Sequence, residues 1–356
     1  MEGILQSPLS GFPSLLTILA AFQLSCDGGG QAPADPVVEV QSLFAADTSD
    51  STLADQIGSV RHARLTSTGR AFVVLDEYEP FIKILDRRGH LIRSFGRAGG
   101  GPGELEHPRW LAVQGDSVLA VVDRTRISEF RLDGEFLASR RLPPMRLLGI
   151  ADHCAGGWIL LGPKRLRGRE AAGRNTWLLA IPRIAASGNA TAQDSALYRD
   201  SVVPELGEVS SGTHVASGGG RFAFLRQDPR PRTFFEGNCA TGEVREVEHD
   251  LEFAGPDQRD MVDGRFLQVR LDPGPRPAGM GLLSGGILVA RRPASRVAPT
   301  VLNMIGRSDS LVLQVEESHV RLEDARPGVG ALFSTAAPWP RVVFVPESTL
   351  LAALGS

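Results

Sequence analysis

Histidine and cysteine are the side chains here most able to bind a metal or act on a substrate, and the 356-residue chain has seven and three of them. Their spacing excludes most such uses. No Cys-x-x-Cys and no His-x-x-x-His occurs, so the usual ligand pairs of a zinc site are missing. No Gly-x-Ser-x-Gly occurs either. Serine and histidine lie close together at residues 212–219 (Gly-Thr-His-Val-Ala-Ser-Gly-Gly), a stretch that reads as a strand and a turn. His62, His107 and His214 each stand beside a predicted strand and make a candidate metal trio, against which stand histidines in loops or satisfying backbone groups. Arg97, Arg109 and Arg124 are a candidate positive rim for a carboxylate, an acidic glycan or a peptide. Together with His107 and His214 they form the candidate binding set, with ordinary surface arginines as the alternative. The basic run at 164–169 reads as a solvated loop.

The elements that must position these groups are short strands. Residues 99–103 contain four glycines and Pro102, so no helix or regular strand passes through them. Before this break, strands are predicted at 63–66, 71–75, 81–85 and 91–95, with turns at 67–69 and 87–89. After it they recur at 110–113, 118–122, 127–132 and 136–142, with turns at Gly115-Asp116 and Asp133-Gly134. Asp76 then matches Asp123 and Gly89 matches Gly134, a period in the mid-forties with four strands per period. That is the signature of a β-propeller blade, a small sheet that must stack on its neighbours to bury both faces. Asp76 and Asp123 close second strands, where a carboxylate accepts hydrogen bonds from turn amides.

The rhythm continues in worn form. A third unit is predicted at 147–150, 156–161, 176–181 and 197–203, with a polar loop at 162–174. A fourth occupies 213–216, 220–225, 232–236 and 244–251. The segment 255–264 reads as an insertion with one helical turn. A fifth unit occupies 279–283, 286–291, 300–306 and 310–316. A sixth, at 319–322, 330–334 and 341–346 with a tail from Glu347, lacks one strand, which the alternation Val37-Val38-Glu39-Val40 is expected to supply, closing the ring. Six blades give about 49 residues each. The fold class is therefore all-β: a six-bladed β-propeller of four-stranded antiparallel blades over residues 51–356, closed by an N-terminal strand.

Hydrophobic residues at 42% and charged residues at 22% are those of a globular chain, and the 40 glycines and 24 prolines fit many turns. A net charge of -3 gives no reason to expect a nucleic-acid partner, whose phosphates demand a basic stripe. Residues 1–26 stand apart: the uncharged apolar run 15–24 ends at Ser25-Cys26, too short to span a bilayer and of signal-peptide length. Ser25-Cys26 and the polar tether that follows, within residues 27–50, resemble a bacterial lipoprotein signal, which implies that Cys26 is lipidated. Setting Cys26 aside leaves Cys154 and Cys239. They are either a disulfide, if the fold brings their Cα atoms within about 7 Å, or two separate small buried side chains.

Gly99 to Gly103, Glu104, Pro108, Val113, Asp123, Arg126-Ile127, Phe130 and Asp133-Gly134 together resemble the NHL repeat, with Leu105 in place of its usual phenylalanine. The likeness covers residues 63–142, and the whole build is similar to bacterial six-bladed propeller lipoproteins of undefined role, with an NHL/TolB-like ring. Related six-bladed hydrolases hold calcium in the channel through Glu, Asn and Asp of inner strands. The five inner strands predicted at 63–66, 110–113, 147–150, 213–216 and 279–283 contain none of these. The expectation is thus an exported, periplasmic or envelope protein, monomeric and non-enzymatic, with no cofactor and a channel lined by small or apolar groups. It would bind a protein, peptide or glycan at a mouth formed by loops at 97–109, 164–174 and 257–265, and touch the membrane through a lipid anchor alone. The competing reading is a propeller hydrolase or lyase with a metal in the channel.

Overall fold

In a computed structural model the described residues are 57–123, 126–143, 145, 147–163, 176–183, 195–199, 214–226, 233–251, 253, 258–262, 265–270, 275–292, 300–305, 310–313, 320–335 and 341–354. They form six antiparallel up-and-down sheets, each in sequence order. Blade 1 is β1 (Val60–Leu65), β2 (Ala71–Asp76), β3 (Ile82–Asp86) and β4 (Leu91–Phe95); blade 2 is β5 (Trp110–Gln114), β6 (Val118–Val122), β7 (Arg126–Arg131) and β8 (Phe136–Arg141). Blade 3 is β9 (Gly149–Asp152), β10 (Trp158–Pro163), β11 (Thr176–Ile181) and β12 (Ser195–Arg199); blade 4 is β13 (Val215–Gly218), β14 (Arg221–Arg226), β15 (Thr233–Asn238) and β16 (Val244–Val247). A separate hairpin, β17 (Gln258–Val262) with β18 (Arg265–Arg270), precedes blade 5, which is β19 (Arg276–Leu283), β20 (Gly286–Arg292), β21 (Thr300–Met304) and β22 (Ser310–Leu313). Blade 6 has three described strands, β23 (Val320–Arg326), β24 (Gly330–Thr335) and β25 (Arg341–Pro346), followed by helix α1 (Glu347–Ala353). The expected closing strand at Val37 lies outside the described residues, as do Cys26 and the whole 1–56 segment.

Period-two alternation is what makes the ring. Val73 and Leu75 of β2 face blade 2, while Phe72 and Val74 face blade 6. Likewise Leu119 and Val121 of β6 pack toward blade 1, and Val118, Ala120 and Val122 toward blade 3. Trp158 and Leu160 of β10 join the core with blade 2, and Ile159 and Leu161 the core with blade 4. Each apolar cluster therefore fills one seam between neighbouring blades. The seam joining blade 6 to blade 1 unites Ala63, Leu65 and Phe72 with Leu332, so the last described blade meets the first. No blade could bury such surface alone.

Two segments differ from their sequence reading. The segment 255–264, expected as an insertion with one helical turn, instead contributes β17, which pairs with β18 as a hairpin. The tail after Pro346 is the short helix α1. Its Glu347 carboxylate accepts the Ser284 and Gly328 amides, tying the β19–β20 turn of blade 5 to the β23–β24 turn of blade 6.

The strand order gives the ring two unlike faces. Inner strands β1, β5, β9, β13, β19 and β23 begin at the upper face, which also receives the connections between blades and those between second and third strands. Here lies the 96–109 connection between blades 1 and 2. The lower face collects the tight turns, including 66–70, 87–90, 132–135, 153–157 and 239–243. Gly134 shows why these turns are sequence-specific: its φ is +94°, and a Cβ would stand 3.2 Å from the Phe95 ring.

Candidate functional site

The inner edge of a first strand leaves every second backbone amide aimed at the channel, where a buried unpaired donor costs about 1–3 kcal/mol. At the seam between blades 6 and 1 the chain meets this with carboxylates. A bulge between Leu322 and Asp324 breaks the alternation of β23, so that Glu323 and Asp324, although adjacent, both reach β1. Glu323 Oε2 accepts the Ala63 amide at 3.3 Å and Asp324 Oδ2 accepts the Leu65 amide at 2.9 Å. Ser334 donates to Glu323 Oε1, and Arg64 donates to the carbonyls of Ala63 and Glu323.

One turn lower, Arg326 crosses the axis. Its guanidinium donates to Asp152 Oδ1 of blade 3 at 3.1 Å, to Asp324 Oδ2 at 3.4 Å and to the Val113 carbonyl of blade 2 at 2.9 Å. Ser217 of blade 4 donates to the same Asp152 oxygen at 2.5 Å. Burial opposes the charge on Arg326, but Asp152 and Asp324 more than offset it and raise the guanidinium above its ordinary pKa. Arg64 is lowered, chiefly by burial, with Asp324 and Glu323 working the other way. Pro327 then lies against Gly218 of blade 4, where a Cβ would stand 2.7 Å from Pro327 Cδ. Side chains from blades 3, 4 and 6 and a backbone carbonyl from blade 2 thus meet at the lower end of the channel.

This overturns the expectation of a channel lined by small or apolar groups and of inner strands free of acidic residues. The inner strand of blade 3 runs to Asp152 rather than stopping at 150, and that of blade 6 runs to Arg326 rather than 322. The charges appear just where the predicted strands had been cut short. The signal in the sequence was the run Val-Arg-Leu-Glu-Asp-Ala-Arg at 320–326, whose acidic and basic residues are nearly all buried.

At the upper end, His62 stacks on Trp110 with ring centroids 4.8 Å apart, and its Nδ1 stands 3.9 Å from Glu323 Oε2, beyond hydrogen-bond reach. Burial first, then Arg64, Arg321 and Arg61, push this imidazole well below the usual histidine range, so it is neutral at pH 7. Arg321 pairs with Glu323 Oε1 at 2.9 Å and donates to the Val60 carbonyl at 2.8 Å. In the described channel wall Arg64, Arg321 and Arg326 balance Asp152, Glu323 and Asp324. Each carboxylate already accepts from arginine or backbone amides, so activating a water would first require breaking one of these ties.

The candidate binding residues separate. Arg97 is exposed and paired with Glu104 at 2.7 Å; His107 and Arg109 are exposed on the same 96–109 connection. His214 is instead buried, at 1% exposure, where β13 begins, and is unable to present a side chain at a mouth. Arg124 lies outside the described residues, as does the 164–174 loop. Cys154 and Cys239 are joined by a disulfide with Cα atoms 6.0 Å apart, linking the β9–β10 turn to the β15–β16 turn.

The glycine-rich connection is held from below by a residue its own motif supplies. Arg126 donates to Asp123 Oδ2 at 2.9 Å and to the carbonyls of Gly100 at 3.0 Å and Glu104 at 2.6 Å. Glu104 Oε2 accepts the Gly101 amide at 2.8 Å, and a Cβ on Gly99 would collide with that carboxylate. Arg126→Ala is expected to cost about 1–3 kcal/mol, since it leaves Asp123 and these carbonyls without their donor. Limited proteolysis should then cut within residues 99–104 faster than in the wild type.

No known sequence family matches this chain, and no curated protein does. Solved structures resemble it in fold. A Bacteroides fragilis protein named as a candidate exported protein is 12% identical over 84% of this chain and 74% of its own, with a TM-score of 0.47. Kuenenia stuttgartiensis hydrazine synthase is 10% identical over 84% and 80%, with a TM-score of 0.45. The β-propeller domain of Cps50 (Swd1) from Myceliophthora thermophila is 10% identical over 81% and 98%, with a TM-score of 0.44. At these values the similarity is one of fold alone.

Proposed function

We propose that the protein is an exported, non-enzymatic binding or scaffold module that engages a protein, peptide or glycan through the upper face of its propeller. The observation that supports this is the mutual compensation of the channel charges: the described acidic groups are held by arginines and amides, so the chemistry left to the molecule lies on its surface. The upper face carries the 96–109 connection with the exposed Arg97, His107 and Arg109, and Tyr78 at 62% exposure in the β2–β3 connection. Aromatic side chains and arginine are the residue types enriched at recognition surfaces. Export rests on the apolar run before Cys26 and is supported by the Cys154–Cys239 disulfide, a bond that persists in oxidising compartments.

The test is capture from envelope extracts of the native cell by immobilised protein. Arg97→Glu and Arg109→Glu on the upper face are expected to lose the captured ligand, whereas Arg88→Glu in a lower-face turn retains it. Equal loss in all three variants would contradict the assignment of the upper face. One equivalent of tightly held metal in the channel of purified protein would favour the enzyme reading instead.

A further inference from the structure

The disulfide is accompanied by a third potential ligand. His153 adjoins Cys154 in the β9–β10 turn, and the ligand atoms of His153, Cys154 and Cys239 all lie within 4.8 Å of one another. We propose that these three residues form a reductively unmasked site for one thiophilic d10 cation, with zinc(II) as the reference ion. In the oxidised protein the sulfurs are bonded to each other and the site is latent. A dithiol reductant opens it: the dithiol closes to its own cyclic disulfide while Cys154 and Cys239 become thiols. Zinc(II) then displaces the two thiol protons to solvent and takes an imidazole nitrogen of His153. Water completes the tetrahedron on the exposed Cys154 side.

Several ties hold the two turns in place once the sulfur bond is gone. His153 N donates to the Gly157 carbonyl at 3.0 Å and Gly156 N to the His153 carbonyl at 2.9 Å. The Gln114 side-chain amide of blade 2 also donates to the His153 carbonyl at 3.0 Å. On the other side Cys239 N donates to the Gly220 carbonyl at 3.0 Å, and Asn238 Oδ1 accepts the Ala240 amide at 2.8 Å. Behind them the seam between blades 3 and 4 is packed by Leu148, Ile159, Val215, Phe222 and Phe224. Reduction therefore removes one of several independent ties, and both thiols stay facing each other. Zinc–thiolate bonds of about 2.3 Å in a tetrahedron set the sulfurs about 3.8 Å apart, a separation that small side-chain rotations supply from a Cα spacing of 6.0 Å. Cys154 is exposed, so a reductant can reach the bond.

The experiment titrates cobalt(II), a spectroscopic substitute for zinc(II), into the full chain before and after reduction with a phosphine that does not hold the metal. Reduced protein should show thiolate-to-cobalt charge-transfer absorption saturating at one equivalent, reversed by one equivalent of zinc(II), with unchanged circular dichroism. Oxidised protein should show none. Cys154→Ser and Cys239→Ser should abolish the band, and His153→Ala should weaken binding at least tenfold. Absence of the band in reduced protein, an equal band in oxidised protein, or loss of the fold on reduction would overturn the site. Unchanged affinity in His153→Ala would overturn the three-ligand assignment. None of these outcomes depends on what the upper face binds.

Discussion

Arg326→Leu should destabilise the protein by about 3–5 kcal/mol, measured as a lower urea midpoint at pH 7 with the slope unchanged. Leucine is apolar and has neither the charge nor the reach of the guanidinium. Its introduction leaves the Asp152 carboxylate, 17% exposed, and the Asp324 carboxylate, 8% exposed, without the guanidinium that pairs with both. It also removes the donor to the Val113 carbonyl. The loss is larger than for a surface ion pair, which is worth about 0–1 kcal/mol, because the partners cannot return to water when the arginine goes. Arg326→Lys should recover part of it, since one ammonium can meet one carboxylate but cannot span both and the carbonyl.

Asp76→Ala should cost a comparable amount, again about 3–5 kcal/mol, and by a related route. Asp76 is fully buried at the end of β2. Its Oδ2 accepts the Gly58 amide at 2.8 Å and pairs with Lys83, and its Oδ1 accepts Ser59 and Tyr78 amides at 3.0 and 3.1 Å. One carboxylate thus holds the chain entering β1, the turn after β2 and a lysine whose side chain is 7% exposed. Burial works to raise its pKa, but the hydrogen bonds from Lys83, Tyr78, Gly58 and Ser59 prevail and hold it below the ordinary aspartate value. A depressed carboxylate contributes stability above its unfolded pKa and loses it as the pH falls through its folded pKa. The wild type should therefore lose stability on acidification below the ordinary aspartate range. Asp76→Ala should show a shallower loss across that window, because it lacks the group that titrates. An equally steep acid limb in both proteins would show that Asp76 is not the group responsible.

Blades 1 and 2 were legible because local chemistry and tertiary demand coincide there. The β-branched and aliphatic runs at 71–75 and 118–122 alternate toward two neighbours, and Asp133-Gly134 needs the positive φ it adopts. Asp76 and Asp123 were readable as amide acceptors for the same reason. What a propeller does not advertise is the content of its innermost edge, where a strand is judged by its neighbours across the axis. Residues 320–326 resemble an exposed segment, with Arg321, Glu323, Asp324 and Arg326 in seven positions, and are buried because β1, β5 and β9 supply complementary groups from far along the chain. No periodicity within β23 could reveal that. The β17–β18 hairpin was missed although Asp263-Gly264 sits between its strands, a dipeptide suited to a two-residue turn. Helix α1 follows Pro346 and opens with Glu347, a start signal hidden by its length of seven residues. His214 illustrates the opposite error, a polar side chain assigned to a mouth from its place in the sequence and held in the interior by packing.

If the channel charges are committed to one another across the axis, Arg326 and Asp152 are energetically coupled, and that coupling energy is the deciding measurement. Urea unfolding of the wild type, Arg326→Leu, Asp152→Asn and the double variant gives it directly. The expected result is a double variant more stable than Arg326→Leu, with a coupling of at least about 1.5 kcal/mol. A coupling near zero would mean that the two groups act independently, leaving a channel carboxylate free for chemistry and contradicting the binding-module reading.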